Sequence, residues 1–200
     1  GIFLCDKGYI VAGAKNNKRK YNQDIVRICK KEKIDIVFSG QPYELNALCP
    51  LKKNLQNQTG AYFAIQRDNV WKLCMDKLQT YHFLKKVGIR SPITYANRKG
   101  LKILLKNHRY PLLIKARSSL GFDFHDYYLV KNKKEFEKKW KIVNNPIVQE
   151  YIKNKNNEEY TVGVFLNENS KVLGAISMLR QLRFGLTSHA IVDDFPDITD

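Results

Sequence analysis

Two carboxylates, Glu150 and Glu159, stand at the rims of two apolar runs. The first run is Pro146-Ile147-Val148-Gln149-Glu150-Tyr151-Ile152. The second starts at Glu159, continues to Leu166, and is rich in β-branched and aromatic residues. Between them lies the hydrophilic stretch Lys153-Asn154-Lys155-Asn156-Asn157-Glu158. The pattern predicts a buried strand, a polar excursion and a second strand. Carboxylates are seldom left in an apolar sheet without partners. A nucleotide offers such partners: an amino group on its base and two hydroxyls on its ribose. The competing readings are a salt bridge to a nearby lysine for Glu150 and a plain loop-end acid for Glu159.

Cationic groups lie on either side of this pair in sequence. Lys115 ends the apolar run Leu112-Leu113-Ile114 and precedes Arg117-Ser118-Ser119-Leu120-Gly121. A lysine at the mouth of a strand, before a loop of small residues, can reach a phosphate as a point charge. Alternatively it snorkels off the strand end. Lys77 sits in Asp76-Lys77-Leu78-Gln79-Thr80, at a predicted helix start where the helix dipole favours an anion. Taken alone it reads as one more surface lysine. Arg180 and Arg183 follow a predicted strand, Val172 to Met178, in a basic turn. Their planar forks suit a carboxylate or phosphate, against the plainer reading of surface arginines.

In this order the segments resemble the ATP-grasp superfamily, most closely its carbamoyl-phosphate-synthase-like members. The resemblance runs from about Lys33 to the end of the chain. It implies that Lys77 and Lys115 contact the phosphates of ATP, with Ser118, Ser119 and Gly121 in the loop that wraps them. Gln149, Glu150, Tyr151 and Ile152 would hold the adenine edge and Glu159 the ribose. Arg180 and Arg183 would face an acyl phosphate. Glu44, after Ser39-Gly40-Gln41-Pro42-Tyr43, matches an acid of the first domain's loop in many relatives.

The implied activity is an ADP-forming ligase. It would activate a carboxylate, unidentified from sequence, as an acyl phosphate for attack by an amine or similar nucleophile. ATP and Mg2+ are the implied cofactors, with metal ligands expected beyond Asp200 and none assigned within the chain. Relatives place several glycines and serines in the loop after the strand lysine. Here Gly121 is followed by Phe122-Asp123-Phe124-His125. That departure supports a second expectation, a nucleotide-binding module that has lost catalysis.

The elements that must position these groups follow from periodicity. Helical spacing is expected over Tyr21 to Lys31, Glu44 to Leu55, Asp68 to Val87 in two pieces, and Lys133 to Lys141 with Phe136 and Trp140 facing inward. Short strands are expected at 2–4 and 9–12, as a buried strand over Asp35 to Phe38, and at Gly60 to Ile65. Residues 111–115 and 126–130 are expected to pair, and Leu101 to Leu105 reads as a short strand or helix. Helix, strand and Gly turn near Ser39-Gly40 suit a parallel α/β unit. The resemblance implies an α/β fold class in two parts: residues 1–65 as a partial Rossmann-like pre-ATP-grasp domain, and 66–200 as an ATP-grasp domain of antiparallel sheets with helices. The second would be incomplete at its C-terminus, with a lid over about 107–165.

Composition narrows the partners. Two hundred residues with 44% hydrophobic content can bury a core. The net charge of +16 fits an anionic small ligand, a nucleic acid, or a bias toward Lys and Asn without functional meaning. Lysines are scattered through every segment and no nucleic-acid motif appears, so nucleic acid is not expected as the main partner. A basic nucleic-acid-interacting protein is kept as a third class. Cys5, Cys29, Cys49 and Cys74 form no C-x-x-C pair, and the four histidines no ligand pair. Reduced thiols in a cytoplasmic protein are expected. No apolar run reaches membrane-spanning length, so no membrane partner is expected. A homodimer is the expected assembly if the chain self-associates.

Overall fold

The computed structural model describes residues 4–107, 110–118, 120, 127–153, 158–167, 169–183 and 186–195. The first helix, α1 (Lys18–Glu32), opens on Asn17, whose side chain accepts from the Lys20 N–H. It closes on Lys33 in the left-handed region, with Lys30 and Lys31 at the negative end of its dipole. The strand β1 (Ile36–Val37) follows, then α2 (Pro42–Leu48), a 3-10 turn over Cys49–Leu51, α3 (Lys52–Thr59) and β2 (Tyr62–Phe63). The single helix expected over Glu44 to Leu55 is thus two. Pro50, which lacks an N–H, sits at the break. Strands β1 and β2 pair in parallel, Ile36 with Tyr62 and Val37 with Phe63.

Two sequence expectations fail here. No strand forms over 9–12; that segment is fastened to α1 instead. The Tyr9 hydroxyl donates to Glu32, and the Ala12 N–H to the buried Asp24 at 3.1 Å. The buried strand expected over Asp35 to Phe38 shortens to β1 and is only partly buried: Ile36 is 52% exposed and Phe38, beyond it, 77%, while Val37 packs on the core. Its only described neighbour is β2.

Next come α4 (Asp68–Met75) and α5 (Lys77–Lys86), separated by one extended residue, Asp76. The expected helix in two pieces is what forms. A four-stranded antiparallel sheet follows in the order β3-β6-β4-β5: β3 (Thr94–Tyr95), β4 (Leu112–Ala116), β5 (Tyr127–Val130) and β6 (Pro146–Glu150). Two helices, α6 (Arg98–Asn107) and α7 (Lys133–Ile142), pack against this sheet. Leu104, Leu112, Ile114, Phe136 and Val148 are each at most 1% exposed, and Trp140 stacks on Phe136 at 5.2 Å. Burying each such side chain is worth about 1.5–3 kcal/mol, which is what fixes β4 and β6 in place.

A second core forms around Leu48, Leu55, Phe63 and Trp71. The chain ends in a three-stranded antiparallel sheet of β7 (Glu159–Leu166), β8 (Val172–Arg183) and β9 (Leu186–Val192). β8 runs five residues beyond the expected Met178, because β9 pairs with it from Met178–Val192 to Arg183–Leu186. Arg180 and Arg183 therefore lie in a strand, and not in a basic turn after one. Among the described residues no helix is long and apolar enough to cross a membrane. Among the described residues the fold is α/β, with one parallel pair, a four-stranded antiparallel sheet carrying α6 and α7, and a three-stranded antiparallel sheet.

Candidate functional site

Asp76 organises the junction where α5 meets the end of β4. Its side chain accepts from the Leu78 and Gln79 N–H groups, capping α5. The same carboxylate accepts from Arg117, with Nε at 2.8 Å and a terminal nitrogen at 2.7 Å. Arg117 holds the Asp76 carboxyl down at about 2, aided by the cap bonds and opposed by burial. An isolated bridge pairs Asp76 with Ser118, and the Lys77 N–H donates to the Arg117 carbonyl at 3.0 Å. The Lys77 ammonium donates to the Ser118 carbonyl at 3.2 Å.

Lys115, two residues before Arg117, is half-buried. Burial lowers its pKa first, and the charge of Lys77 lowers it further. Lys77 and Lys115 belong to different elements, α5 and β4, and the charge of one reaches the other. Beside this junction is a cleft of about 490 Å3, lined by Asn46, Trp71, Gln79, Arg117 and Ser118 among others. Of the residues singled out from sequence, Ser118 lines it; Lys77 and Lys115 stand at the adjoining junction.

The β4–β6 register decides which side chains share Lys115's face. Lys115 pairs with Ile147 and Leu113 with Gln149. Side chains of directly paired residues point the same way and alternate along the strand. Gln149 therefore shares a face with Lys115. Its amide donates to the Thr94 hydroxyl at 2.7 Å. Glu150 pairs with Leu112 and lies on the face of Leu112, Ile114 and Val148, as the alternation in the sequence predicts. Its carboxylate accepts from the Ile93 N–H at 3.0 Å, and its own N–H donates to the Ile93 carbonyl. Tyr151 and Ile152, just past β6, are 40% and 64% exposed. Lys115 and Glu150 are separated by three residue steps, about 10 Å along the strands.

Glu159 and Arg180 face each other across β7 and β8. An Arg180 terminal nitrogen is 3.2 Å from the Glu159 carboxylate, and the other donates to the Thr187 hydroxyl at 3.0 Å. Among the described residues the buried Arg180 Nε has no partner. Arg183 pairs with Leu186 at the end of the β8–β9 pairing. Glu44 accepts from the Ser39 hydroxyl at 2.9 Å in the loop after β1. Burial, and secondarily the Glu44 charge, push Tyr21 up to about 12. Ser119 and Gly121 lie outside the described residues.

Asp76 and Arg117 are the members of the junction that sequence reasoning did not single out. An aspartate just before a helix is a legible cap signal. Its arginine partner, 41 positions away, carries no local signal.

No family model matches the chain, and neither does any curated protein. Solved structures do. N5-carboxyaminoimidazole ribonucleotide synthetase from Thermus thermophilus superposes with a TM-score of 0.64 at 15% identity, over 90% of this chain and 45% of that one. The biotin carboxylase domain of Hydrogenobacter thermophilus 2-oxoglutarate carboxylase, in complex with MgADP, ADP and bicarbonate, gives 0.65 at 18%, over 93% and 43%. L-amino acid ligase from Bacillus licheniformis gives 0.54 at 16%, over 82% and 37%. The chain spans less than half the length of these enzymes, which are all of ATP-grasp type. Likeness at such identity speaks to architecture alone: this chain shares its fold with part of these ATP-grasp enzymes.

Proposed function

We propose that this chain binds ATP and belongs to an ADP-forming ligase that activates a carboxylate for attack by an amine. The observation that carries this is the junction at Asp76, where the Lys77 ammonium lies on the Ser118 carbonyl just past Lys115 and the end of β4. The Lys115 ammonium, disfavoured first by burial and then by the charge of Lys77, would be favoured by a bound phosphate. Lys77 at the start of α5 adds the positive end of a helix dipole. Arg117, tied to Asp76, keeps that helix end against β4.

In this reading the triphosphate lies over Lys115 and Lys77, and the base lies toward Gln149 and the backbone of Tyr151 and Ile152. Glu150 acts from the rim, and Glu159 binds ribose. Arg180 and Arg183 serve the acyl phosphate, and the loop containing Ser118, Ser119 and Gly121 covers the phosphates. Residues 1–65 form the partial pre-ATP-grasp domain and 66–200 the ATP-grasp domain, with its lid over about 107–165. A carboxylate oxygen attacks the γ-phosphorus, the bond to the bridging β–γ oxygen breaks, and ADP leaves. The amine then attacks the acyl carbon, loses its proton, and expels phosphate. Such transfer depends mainly on positioning and charge neutralisation. Among the described residues no group of three or more His, Cys, Asp or Glu is placed to hold a metal. No step here is assigned to a metal.

A second reading keeps ATP binding without ligation. The sequence Phe122-Asp123-Phe124-His125 after Gly121 favours it, since bulky residues replace those whose N–H groups wrap phosphates. Calorimetric titration of ATP into the chain tests both. Saturable binding that weakens about ten- to a hundredfold in Lys115→Ala and in Lys77→Ala supports the site. Binding unaffected by either substitution refutes it. ADP release on adding carboxylates and amines separates ligase from binder.

A further inference from the structure

A larger groove, about 610 Å3, lies between α1 and the α2–α3 segment. That volume is in the range of small-molecule sites. Its apolar floor includes Val26, Ala47, Pro50 and Leu55. Asn22 lines it and is 8% exposed. The Asn22 Nδ2 donates to the Ala47 carbonyl at 3.1 Å, which fixes the orientation of the amide. The atom left over is Oδ1, an acceptor, and it has no partner among the described residues. Buried acceptors are rarely left unsatisfied, and each exception calls for an explanation.

The groove's charge is one-sided. Lys18, Arg19 and Arg27 line it and no acidic side chain does, although Arg27 is paired with Asp24 at 3.4 Å behind it. Lys18 and Arg19 occupy the first turn of α1, which holds no acidic residue, so the dipole's positive end adds to them. Oδ1 is itself closed off, so a ligand must displace neighbouring side chains to reach it; Lys18, Arg19 and Gln23, which line the groove, are long and exposed.

We propose that this groove is a binding site for a small amphipathic acid. Its ligand has an apolar body, one N–H or O–H that donates to Asn22 Oδ1, and one anionic group held by Lys18 and Arg19. The site is separate from the Lys77–Lys115 junction, but Asn46 lines both this groove and the cleft beside Arg117. A ligand here therefore touches a residue that also walls that cleft.

The test is an NMR titration of the 200-residue chain with indole-3-propionate, which carries all three features. Saturable shifts of the Asn22 side-chain amide and of Val26 and Leu55 are expected. The 1-methyl analogue, lacking the donor, should bind about tenfold more weakly, and uncharged 3-ethylindole more weakly again. Asn22→Ala should erase the preference for indole over its 1-methyl form. Leu51→Trp, at an exposed position of the groove, should block both while leaving the fold intact. Equal binding of the two indoles, shifts mapping elsewhere, or no saturation would overturn the proposal. So would concentration-dependent shifts of the same residues in ligand-free protein, which would assign the groove to a second copy of the chain.

Discussion

Arg117 grips Asp76 through two nitrogens, and the same Asp76 caps α5. One carboxylate thus joins a helix start to a strand end. The side chain is 21% exposed, so solvent screens the pair only in part. Its folded pKa of about 2 lies below the reference 3.8. The stabilisation is therefore present above about pH 4 and is lost as pH falls through about 2. At neutral pH it amounts to no more than about 2 kcal/mol. Asp76→Asn keeps an acceptor for the cap but loses the charged pair. Urea unfolding at about pH 6 should show a loss of about 1–2 kcal/mol, and the gap to wild type should shrink at about pH 2. A gap independent of pH would show that the ion pair contributes nothing.

Lys115 should trade stability for binding. Its folded pKa lies below the reference 10.5, so the folded chain disfavours its charge. That penalty is full below the folded pKa and fades as pH rises toward 10.5. Lys115→Met should therefore raise the thermal midpoint at neutral pH while weakening ATP binding. Lys77→Ala should raise the Lys115 pKa, read from the side-chain NMR shift across an alkaline titration. An unchanged Lys115 titration would separate the two amines.

The helices and the central sheet were legible because burial imposes a period. Phe136 and Trp140 in α7, and Leu112 and Ile114 in β4, alternate in register with the core. The break at Asp76 was legible as well. The parts that escaped depend on partners distant in sequence. Nothing near Arg180 announces that β9 will pair with it, opposite Ala190, and extend the strand. Nothing near Tyr9 announces Glu32. The relation of Glu150 to Lys115 depends on register between β4 and β6. The sequence shows two adjacent strands' contents, but not which residues stand opposite.

Glu150 should separate structure from recognition. Its carboxylate accepts from the Ile93 N–H that ties β3 to β6. Glu150→Gln keeps an acceptor and should cost under about 1 kcal/mol, whereas Glu150→Ala leaves the Ile93 N–H without its acceptor and should cost about 1–3 kcal/mol. If the acid also receives the adenine amino group, both variants weaken ATP more than they weaken inosine triphosphate, which lacks that group. Equal losses for the two nucleotides would confine Glu150 to holding the sheet.

Glu159 and Arg180 form a partly exposed pair worth at most about 1 kcal/mol, so a double-mutant cycle on stability should be small. A ribose contact predicts more. Glu159→Ala should reduce the preference for ATP over its 2′-deoxy and 3′-deoxy analogues. An unaltered preference would leave Glu159 as Arg180's counter-ion only.

Gly100 tests how firmly α6 seats the sheet. In a helix, Gly→Ala ordinarily gains about 1 kcal/mol. Here a Cβ would lie 2.1 Å from the Tyr95 Cβ on β3 and 2.4 Å from its Cγ. Neither atom is the flexible end of a side chain, so α6 or β3 must shift. Overpacking of this kind costs about 1–3 kcal/mol, which outweighs the helical gain. Gly100→Ala should therefore lower the urea midpoint, while a nearby exposed change, Lys99→Ala, should not. β3 pairs with β6 through Thr94–Gln149, so a shift of β3 reaches the Gln149 amide. The variant should perturb the Gln149 side-chain resonances before global unfolding. Stability equal to wild type with those resonances unmoved would mean that α6 does not hold this edge of the sheet.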